Sequence, residues 1–296
     1  MILQHLPKVD MLTCTKDIDY NNGIHSFRRR ILLVKVLVNG ACGRVGQAVV
    51  AAVLDDEELE LVGAVDIRSG MDIGELIGRK KTGISVDGSL LDTIRRTKPE
   101  VMVDFTRPDV VFESACTALR EKVSPVIGTT GLSEEQKAEI DKLARENDTA
   151  AFIAPNFAIG AVLMMMMSKQ AAKYMPHVEI IELHHDNKLD APSGTALQTA
   201  KLIAEVRQSM KQGNPKEKEN LAGARGAEYD GMHIHSVRLP GYVAHQEVIF
   251  GGLGQTLTIR HDSMDRNSFQ PGVVLACKKV RELQGLVIGL ENLMDF

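Results

Sequence analysis

The run from Glu182 to Ala196, ELHHDNKLDAPSGTA, gathers two histidines, a lysine and a Ser-Gly-Thr helix start into fifteen residues. Together they read as a substrate site. His184 has the chemistry of a proton donor, His185 adds a second imidazole and Lys188 a cation, which suits a small, multiply anionic substrate that gains a proton as it reacts. Ser193, Gly194 and Thr195 open an amphipathic run (Leu197, Ala200, Leu202, Ile203, Val206), so the free N–H groups of a first helical turn and the helix dipole would face negative charge there. Each piece alone has a plainer reading: an N-cap with an early proline, surface histidines, a solvated lysine. The combination carries the chemistry. No metal site is expected, because adjacent residues leaving a strand point to opposite faces and make a poor chelating pair.

Upstream, the stretch from Ile31, ILLVKVLVNGACGRVGQAVVAAVL, runs from an apolar strand through a glycine-rich turn into a helix. Gly40, Gly43 and Gly46 keep the spacing of a dinucleotide-binding turn, with Ala41, Cys42, Arg44 and Val45 between them. The glycines would give the tight turn, the close approach to a pyrophosphate and the close packing of helix on strand. A second strand, Glu60 to Val65, ends at Asp66, about twenty residues beyond the last glycine, where a ribose-binding acid belongs. Asp66 would bind the ribose hydroxyls and favour NADH, whereas Arg68 could accept a 2′-phosphate and favour NADPH. That choice stays open. A modified Cys42 would block the pyrophosphate, although an inert small residue is the simpler reading.

Further strands at Glu100–Asp104, Ser124–Ile127 and Thr149–Ala154 alternate with helical patterns at Asp109–Arg120 and Ser133–Glu146, the order of a Rossmann-type, doubly wound parallel sheet. Ligands of such sheets lie beyond the carboxyl ends of the strands. There stand Asp104-Phe105-Thr106, Gly128-Thr129-Thr130-Gly131 and Ala154-Pro155-Asn156-Phe157, the expected nicotinamide bed. After Phe157 the pattern changes. A helix from Ala158 to Tyr174 carries Met164 to Met167, read as adaptable core. A strand from His177 to Leu183 then delivers the histidines. The polar stretch Lys211–Gly231 reads as a mobile loop, and three strands follow, Met232–Arg238, Val243–Phe250 and Gln255–His261. The second domain is therefore α+β with a mostly antiparallel sheet. The last helical run, Gly272 to Leu283, is expected to return to the first sheet and cover a face left bare. The expected division is an N-terminal extension over 1–30, a dinucleotide-binding domain over 31–156 with 266–296, and a substrate domain over 157–265.

Composition excludes several classes. The chain has 296 residues, 44% hydrophobic and 25% charged, ordinary for a globular protein of two domains. A net charge of −4, four tyrosines and no tryptophan give no basic footprint and little stacking surface for nucleic acid. Cys14, Cys42, Cys116 and Cys277 form no CxxC pair, which fits reduced thiols better than disulfides or zinc. No apolar stretch is long enough to span a membrane. The first thirty residues match neither a secretory signal nor a transit peptide, and no function is assigned to them.

At the residue level the chain resembles the 4-hydroxy-tetrahydrodipicolinate reductase (dihydrodipicolinate reductase) family. The likeness spans 31–296 through the Glu182–Ala196 segment, the GACGRVG turn, Asp104-Phe105-Thr106-Arg107-Pro108, Gly128–Gly131, Pro155-Asn156-Phe157, Ser236-Val237-Arg238 and His261…Arg266…Phe269…Gly272. It departs at Ala244, where a glycine is usual, and at Gln255, where a glutamate is usual. The resemblance implies a cytoplasmic homotetramer of the diaminopimelate and lysine pathway, assembled mainly through the second domain's sheet. It implies NADH or NADPH as cofactor and a small cyclic dicarboxylate as substrate. By position, His184 would be the proton donor and Lys188 its cationic partner. His185, Ser193, Gly194 and Thr195 would bind substrate. The glycine turn, Asp66, Arg68, Phe105, Gly128, Thr129, Thr130, Ala154, Pro155, Asn156 and Phe157 would bind cofactor. Two other readings share the first half: another two-domain dehydrogenase of the aspartate pathway, and a non-catalytic NAD(P)H sensor.

Overall fold

The computed structural model describes residues 33–295; the N-terminal extension, Cys14 included, lies outside the described residues. With strands numbered in chain order, the first sheet comprises β1 (Val34–Asn39), β2 (Leu59–Val65), β3 (Val86–Asp87), β4 (Val101–Asp104), β5 (Ser124–Ile127), β6 (Ala150–Ile153) and β12 (Gly285–Ile288). Their order is β12-β6-β5-β4-β1-β2-β3, with every pair parallel. Both faces are covered, as a parallel sheet requires. Val36 and Val38 of β1 pack toward α1 (Arg44–Asp55) and α8 (Gln270–Lys279), while Leu37 and Met102 belong to the opposite face with Ile94 of α3 (Leu90–Thr97). Buried residues of α4 (Val111–Arg120) and α5 (Glu134–Glu146) form a further cluster with Ile127 and Ile153. The closing helix thus returns to the first sheet and lies beside α1, as the uncovered face demanded.

The second sheet contains β7 (His177–His184), β8 (Ala227–Tyr229), β9 (Met232–Arg238), β10 (Ala244–Gly252) and β11 (Gln255–Ser263), in the order β11-β10-β7-β9-β8. Only the β7/β9 pair is parallel. Period-2 alternation places Val178, Ile180, Met232, Ile234, Val248 and Phe250 on one face, buried with Met164 and Met165 of α6 (Ile159–Ala172) and Ala200 and Ile203 of α7 (Gly194–Ala204). Met164 and Met165 of the methionine run are core and Met166 is partly buried against it, whereas Met167 is exposed, since four consecutive helical residues cannot all face one side.

Three features differ from the sequence reading. The stretch 211–231 is not all loop. Ala227–Tyr229 pairs with β9, and the buried Gln212 side chain clamps Val178, accepting from its N–H at 2.9 Å and donating to its carbonyl at 2.7 Å. Between Asp66 and Glu100 lie β3, the one-turn helix α2 (Ile73–Leu76) and α3, none of which the apolar pattern revealed. The sheet also gains β12, an apolar triplet Leu286-Val287-Ile288 between Gly285 and Gly289 that pairs with β6.

Candidate active site

The switch point of the first sheet falls between β1 and β4, whose helices go to opposite faces, and a cavity of about 400 Å3 opens there. Asn39, Gly40, Gly43, Asp66, Arg68, Phe105 and Thr106 are among its lining. Gly40 has φ +80°, and a Cβ on Gly46 would stand 2.0 Å from the Gly40 carbonyl oxygen, so turn and helix meet at a distance only glycine permits. No side chain caps α1, which leaves its first-turn N–H groups for an anion. Ala41 and Cys42 are buried beneath the turn, and Arg44 and Val45 begin the helix.

Asp66 and Arg68 occupy one wall. The Asp66 carboxylate accepts from Cys42 N at 2.9 Å and Arg68 N at 3.0 Å, tying the acid to the glycine turn. The Arg68 guanidinium donates to the Cys42 carbonyl. Both residues therefore stand together in the cavity wall beside the glycine turn. Cys42 is 1% exposed, and burial, with Asp66 adding to it, pushes its thiol up, so it is a poor nucleophile.

Beneath the cavity Asp104 is fully buried at the end of β4. It accepts from Thr106 Oγ1 at 2.7 Å, Thr106 N at 3.0 Å, Thr129 Oγ1 at 3.1 Å and Asn39 Nδ2 at 2.8 Å. Burial outweighs these bonds and pushes the carboxyl up. Gly128 lies against Phe105, whose ring leaves no room for a Cβ. Thr130 is exposed in the following loop, and Ala154 and Pro155 follow β6. Of the bed read from sequence, Phe105 and Thr106 line this cavity, while Asn156 faces a second one.

That second cavity, about 230 Å3, is lined by Asn156, His184, Ser193, Thr195, His245, Gln246, His261 and others. His184 is the last residue of β7, and Ser193 is the N-cap of α7, its Oγ accepting from Ala196 N at 3.2 Å. Asn156 Nδ2 donates to Thr195 Oγ1 at 3.4 Å, a direct link from the end of the first sheet to the start of α7. Nothing lies within 4 Å of where a Cβ on Gly194 would stand. His245 accepts from Val243 N at Nε2 and faces Asp262 Oδ1 at 2.7 Å from Nδ1, so its proton sits on Nδ1. Burial holds the His261 imidazole below its ordinary pKa, with His245 lowering it further against the opposing pull of Asp262.

His185 and Lys188 do not line the cavity. His185 is exposed beyond the strand end, and Lys188 Nζ is bound to Asp190 Oδ1 at 2.7 Å. The sequence reading gave no role to His245, Gln246 and His261 of this lining, nor to Glu182 and Arg238 beside it. Glu182 is 0% exposed. It faces His184 Nδ1 at 2.5 Å, receives both Arg238 Nη atoms at 2.7 and 2.8 Å, and accepts from Ser193 N at 3.2 Å. Burial alone would push its carboxyl up; the bonds from His184, Arg238 and Ser236 overcome it and hold the pKa down to about 2. The available signal was periodicity: Glu182 is in step with Val178 and Ile180 on the core face of β7.

Fold and site define a class: a Rossmann-type protein whose second, mostly antiparallel sheet sets an imidazole and a helix N-terminus beside the end of the parallel sheet. Comparison narrows it. Residues 34–157 match the family model for the dihydrodipicolinate reductase N-terminus and residues 160–294 that for its C-terminus. The 4-hydroxy-tetrahydrodipicolinate reductase of Desulfitobacterium hafniense (strain DSM 10664 / DCB-2) is 55% identical over 88% of this chain and 99% of its own. That of Geobacillus kaustophilus (strain HTA426) is 53% identical over 89% and 100%. A solved structure of dipicolinate-bound dihydrodipicolinate reductase from Paenisporosarcina sp. TG-14 has a TM-score of 0.81 at 50% identity, over 88% of this chain and 100% of that one. The chain belongs to the dihydrodipicolinate reductase family. An amine dehydrogenase from Mycobacterium smegmatis, 16% identical with a TM-score of 0.61 over 89% and 96%, shares the fold alone.

Proposed function

We propose that this chain reduces 4-hydroxy-tetrahydrodipicolinate to tetrahydrodipicolinate with NADH or NADPH, in lysine and diaminopimelate biosynthesis. One juxtaposition carries the reading: His184, braced by a buried carboxylate, shares a cavity with the N-terminus of α7 and with Asn156 from the end of the dinucleotide sheet. The glycine turn suits the cofactor, since the uncapped helix leaves N–H groups for a pyrophosphate and the missing Cβ at Gly46 lets the Gly40 backbone pack tightly against the helix start. Asp66 would hold the ribose hydroxyls, and Arg68 a 2′-phosphate where there is one.

Loss of water from the substrate leaves a conjugated cyclic imine bearing two carboxylates. When bound, the reduced nicotinamide supplies a hydride to one ring carbon. His184 then gives the neighbouring carbon its proton, a transfer suited to an imidazole. Thr195, Ser193 and the first-turn N–H groups of α7, at Gly194 above all, hold one carboxylate. Lys188, on leaving Asp190, holds the other together with the charge that develops, and His185 adds a further donor. That the solved relative is dipicolinate-bound, and so accepts a flat dicarboxylate, supports this assignment.

The lobes, 31–156 with 266–296 and 157–265, would close on the substrate about the crossings near Phe157 and Arg266 and expel water. The rings of Phe157 and Phe269 both pack on Phe105, 5.7 and 5.9 Å between centroids, which brings the two crossings side by side. Ile181, Leu183 and Ile249 stay half-buried on the uncovered face of the second sheet, and this face would join subunits of a homotetramer. No helix among the described residues is long and apolar enough to cross a membrane, and the reading places the enzyme in the cytoplasm.

The test is consumption of NADH on mixing with product freshly made by the upstream synthase, blocked by pyridine-2,6-dicarboxylate; a mere sensor would consume none. His184→Gln is expected to cut turnover at least a hundredfold with little change in NADH affinity, on the order expected for a general acid. Lys188→Ala should harm both turnover and substrate KM. Near-normal rates in both variants would refute the role assignments.

A further inference from the structure

One buried carboxylate touches both the imidazole and the helix start of the second cavity. Glu182 Oε2 faces His184 Nδ1, while Oε1 accepts from Ser193 N, the N-cap of the substrate helix. Arg238 grips both oxygens and also donates through Nη2 to the Asp190 carbonyl at 2.8 Å, so the loop between β7 and α7 is fastened to the same pair. Strand register explains the convergence: Glu182 is a core-face residue of β7, and Arg238 stands opposite His184 on the parallel neighbour β9.

We propose that Glu182, locked by Arg238, is the positioning residue of the reaction: it fixes the ring and tautomer of His184, so that Nδ1 is spent on the carboxylate and Nε2 is the nitrogen left for the substrate. The inference deepens the proton-donor reading of His184 and rests on it. A carboxylate can only accept, so the imidazole nitrogen facing it carries hydrogen. Every proton given to substrate must therefore come from Nε2, and the protonated ring is stabilised by the charge beside it. The same carboxylate aligns the helix start at Ser193, so donor and anion dock are set by one group. Touching neither substrate nor cofactor, Glu182 acts only through His184 and Ser193.

Glu182→Gln separates position from charge with little change in shape. Oε1 takes hydrogen bonds from two groups that can only donate, Arg238 Nη2 and Ser193 N, and Oε2 from one such group, Arg238 Nη1, so the variant's amide oxygen is expected to stay at the Oε1 position and its NH2 to turn toward His184, forfeiting the Nη1 bond. An amide N–H can only donate, which moves the imidazole proton to Nε2 and removes the support for the charged ring. We expect kcat to fall about a hundredfold or more, with substrate KM and NADH Kd within about twofold, because the Ser193 contact survives. Nitrogen-15 histidine spectra at alkaline pH, with His184 assigned by the signal missing from His184→Gln, should show the proton on Nδ1 in the wild type and on Nε2 in the variant. The wild-type spectrum decides even where Glu182→Gln does not fold: a proton on Nε2 overturns the inference. So does a folded Glu182→Gln enzyme that keeps wild-type kcat while His184→Gln loses it, in which case the proton-donor reading stands. Should His184→Gln keep full turnover, that reading falls and this inference falls with it.

Discussion

Gly46 offers a sharp steric experiment. A Cβ there would stand 2.0 Å from the Gly40 carbonyl oxygen, 2.8 Å from the Gly40 carbonyl carbon and 3.0 Å from Ala41 Cα, all backbone atoms that cannot rotate away. Restoring a contact of 3.4 Å obliges α1 to retreat by about 1.4 Å. The helix has nowhere to go: Val49, Val50 and Val53 are buried, and Gln270 reaches from the start of α8 to donate to Ala48 O at 2.8 Å. Overpacking costs about 1–3 kcal/mol, and a rigid obstacle belongs at the top of that range. For Gly46→Ala this corresponds to a fall in Tm on the order of 6–12 °C. Carrying the first-turn N–H groups more than an ångström from a pyrophosphate should weaken NADH binding about tenfold or more, the equivalent of one charge-assisted hydrogen bond. Thermal melts and NADH fluorescence titration measure both effects. Gly194→Ala is the control, since a Cβ there meets nothing within 4 Å: its melting should be unchanged and NADH affinity retained, while KM for the dicarboxylate rises. If Gly46→Ala melts and binds as the wild type does, the close-packing account of the turn is wrong.

Two further outcomes follow from charge. The Glu182 carboxyl is depressed from 4.5 to about 2 in the folded protein, so its contribution is complete above the unfolded value of about 4.5 and lost as pH falls through about 2. That difference amounts to about 3 kcal/mol. Urea midpoints taken from pH 6 down to pH 2 should fall less steeply for Glu182→Gln than for the wild type, and parallel curves would contradict the pairing. At the ribose end, Arg68→Ala should lower kcat/KM with NADPH about tenfold relative to NADH, near 1.4 kcal/mol for one guanidinium–phosphate contact. An unaltered ratio would exclude Arg68 as the 2′-phosphate ligand.

The first lobe was legible because strand, glycine turn and helix recur with clean periods, and because Asp66 falls where the second strand ends. The segment carrying α3 was hidden: its eight residues include Asp92, Arg95 and Arg96, so charge obscured the apolar stripe. Its punctuation was nevertheless present, with Ser89 accepting from Asp92 N at the start and Lys98 in the left-handed region just before Pro99. β12 was hidden for another reason. A short apolar triplet is a strand only when a neighbour has an open edge, and that edge belongs to β6, far back in the chain. The structure brings His184 and the α7 start, both singled out by residue type, to one cavity, but the present pairing of Lys188 with Asp190 depends on side-chain rotamers rather than spacing and was not legible.

Glu182 and Asp104 show most clearly what a sequence withholds. Each is a carboxylate at or near the carboxyl end of a core strand, each is 0% exposed, and each accepts several hydrogen bonds. Their protonation behaviour nevertheless diverges, because the donors differ in charge. Arg238 brings a full positive charge to Glu182 and His184 can bring another, so burial is overcome and the carboxylate stays ionised. Asp104 has only hydroxyl, amide and backbone donors, so burial prevails and the acid form gains ground. A firmly ionised group would stabilise a charged imidazole at His184, whereas burial disfavours the ionised form of Asp104, which lies beneath the glycine turn among neutral donors only. Two acidic residues in core strands thus acquire opposite electrostatic character from partners that lie 56 residues away in one case and within 65 residues in the other.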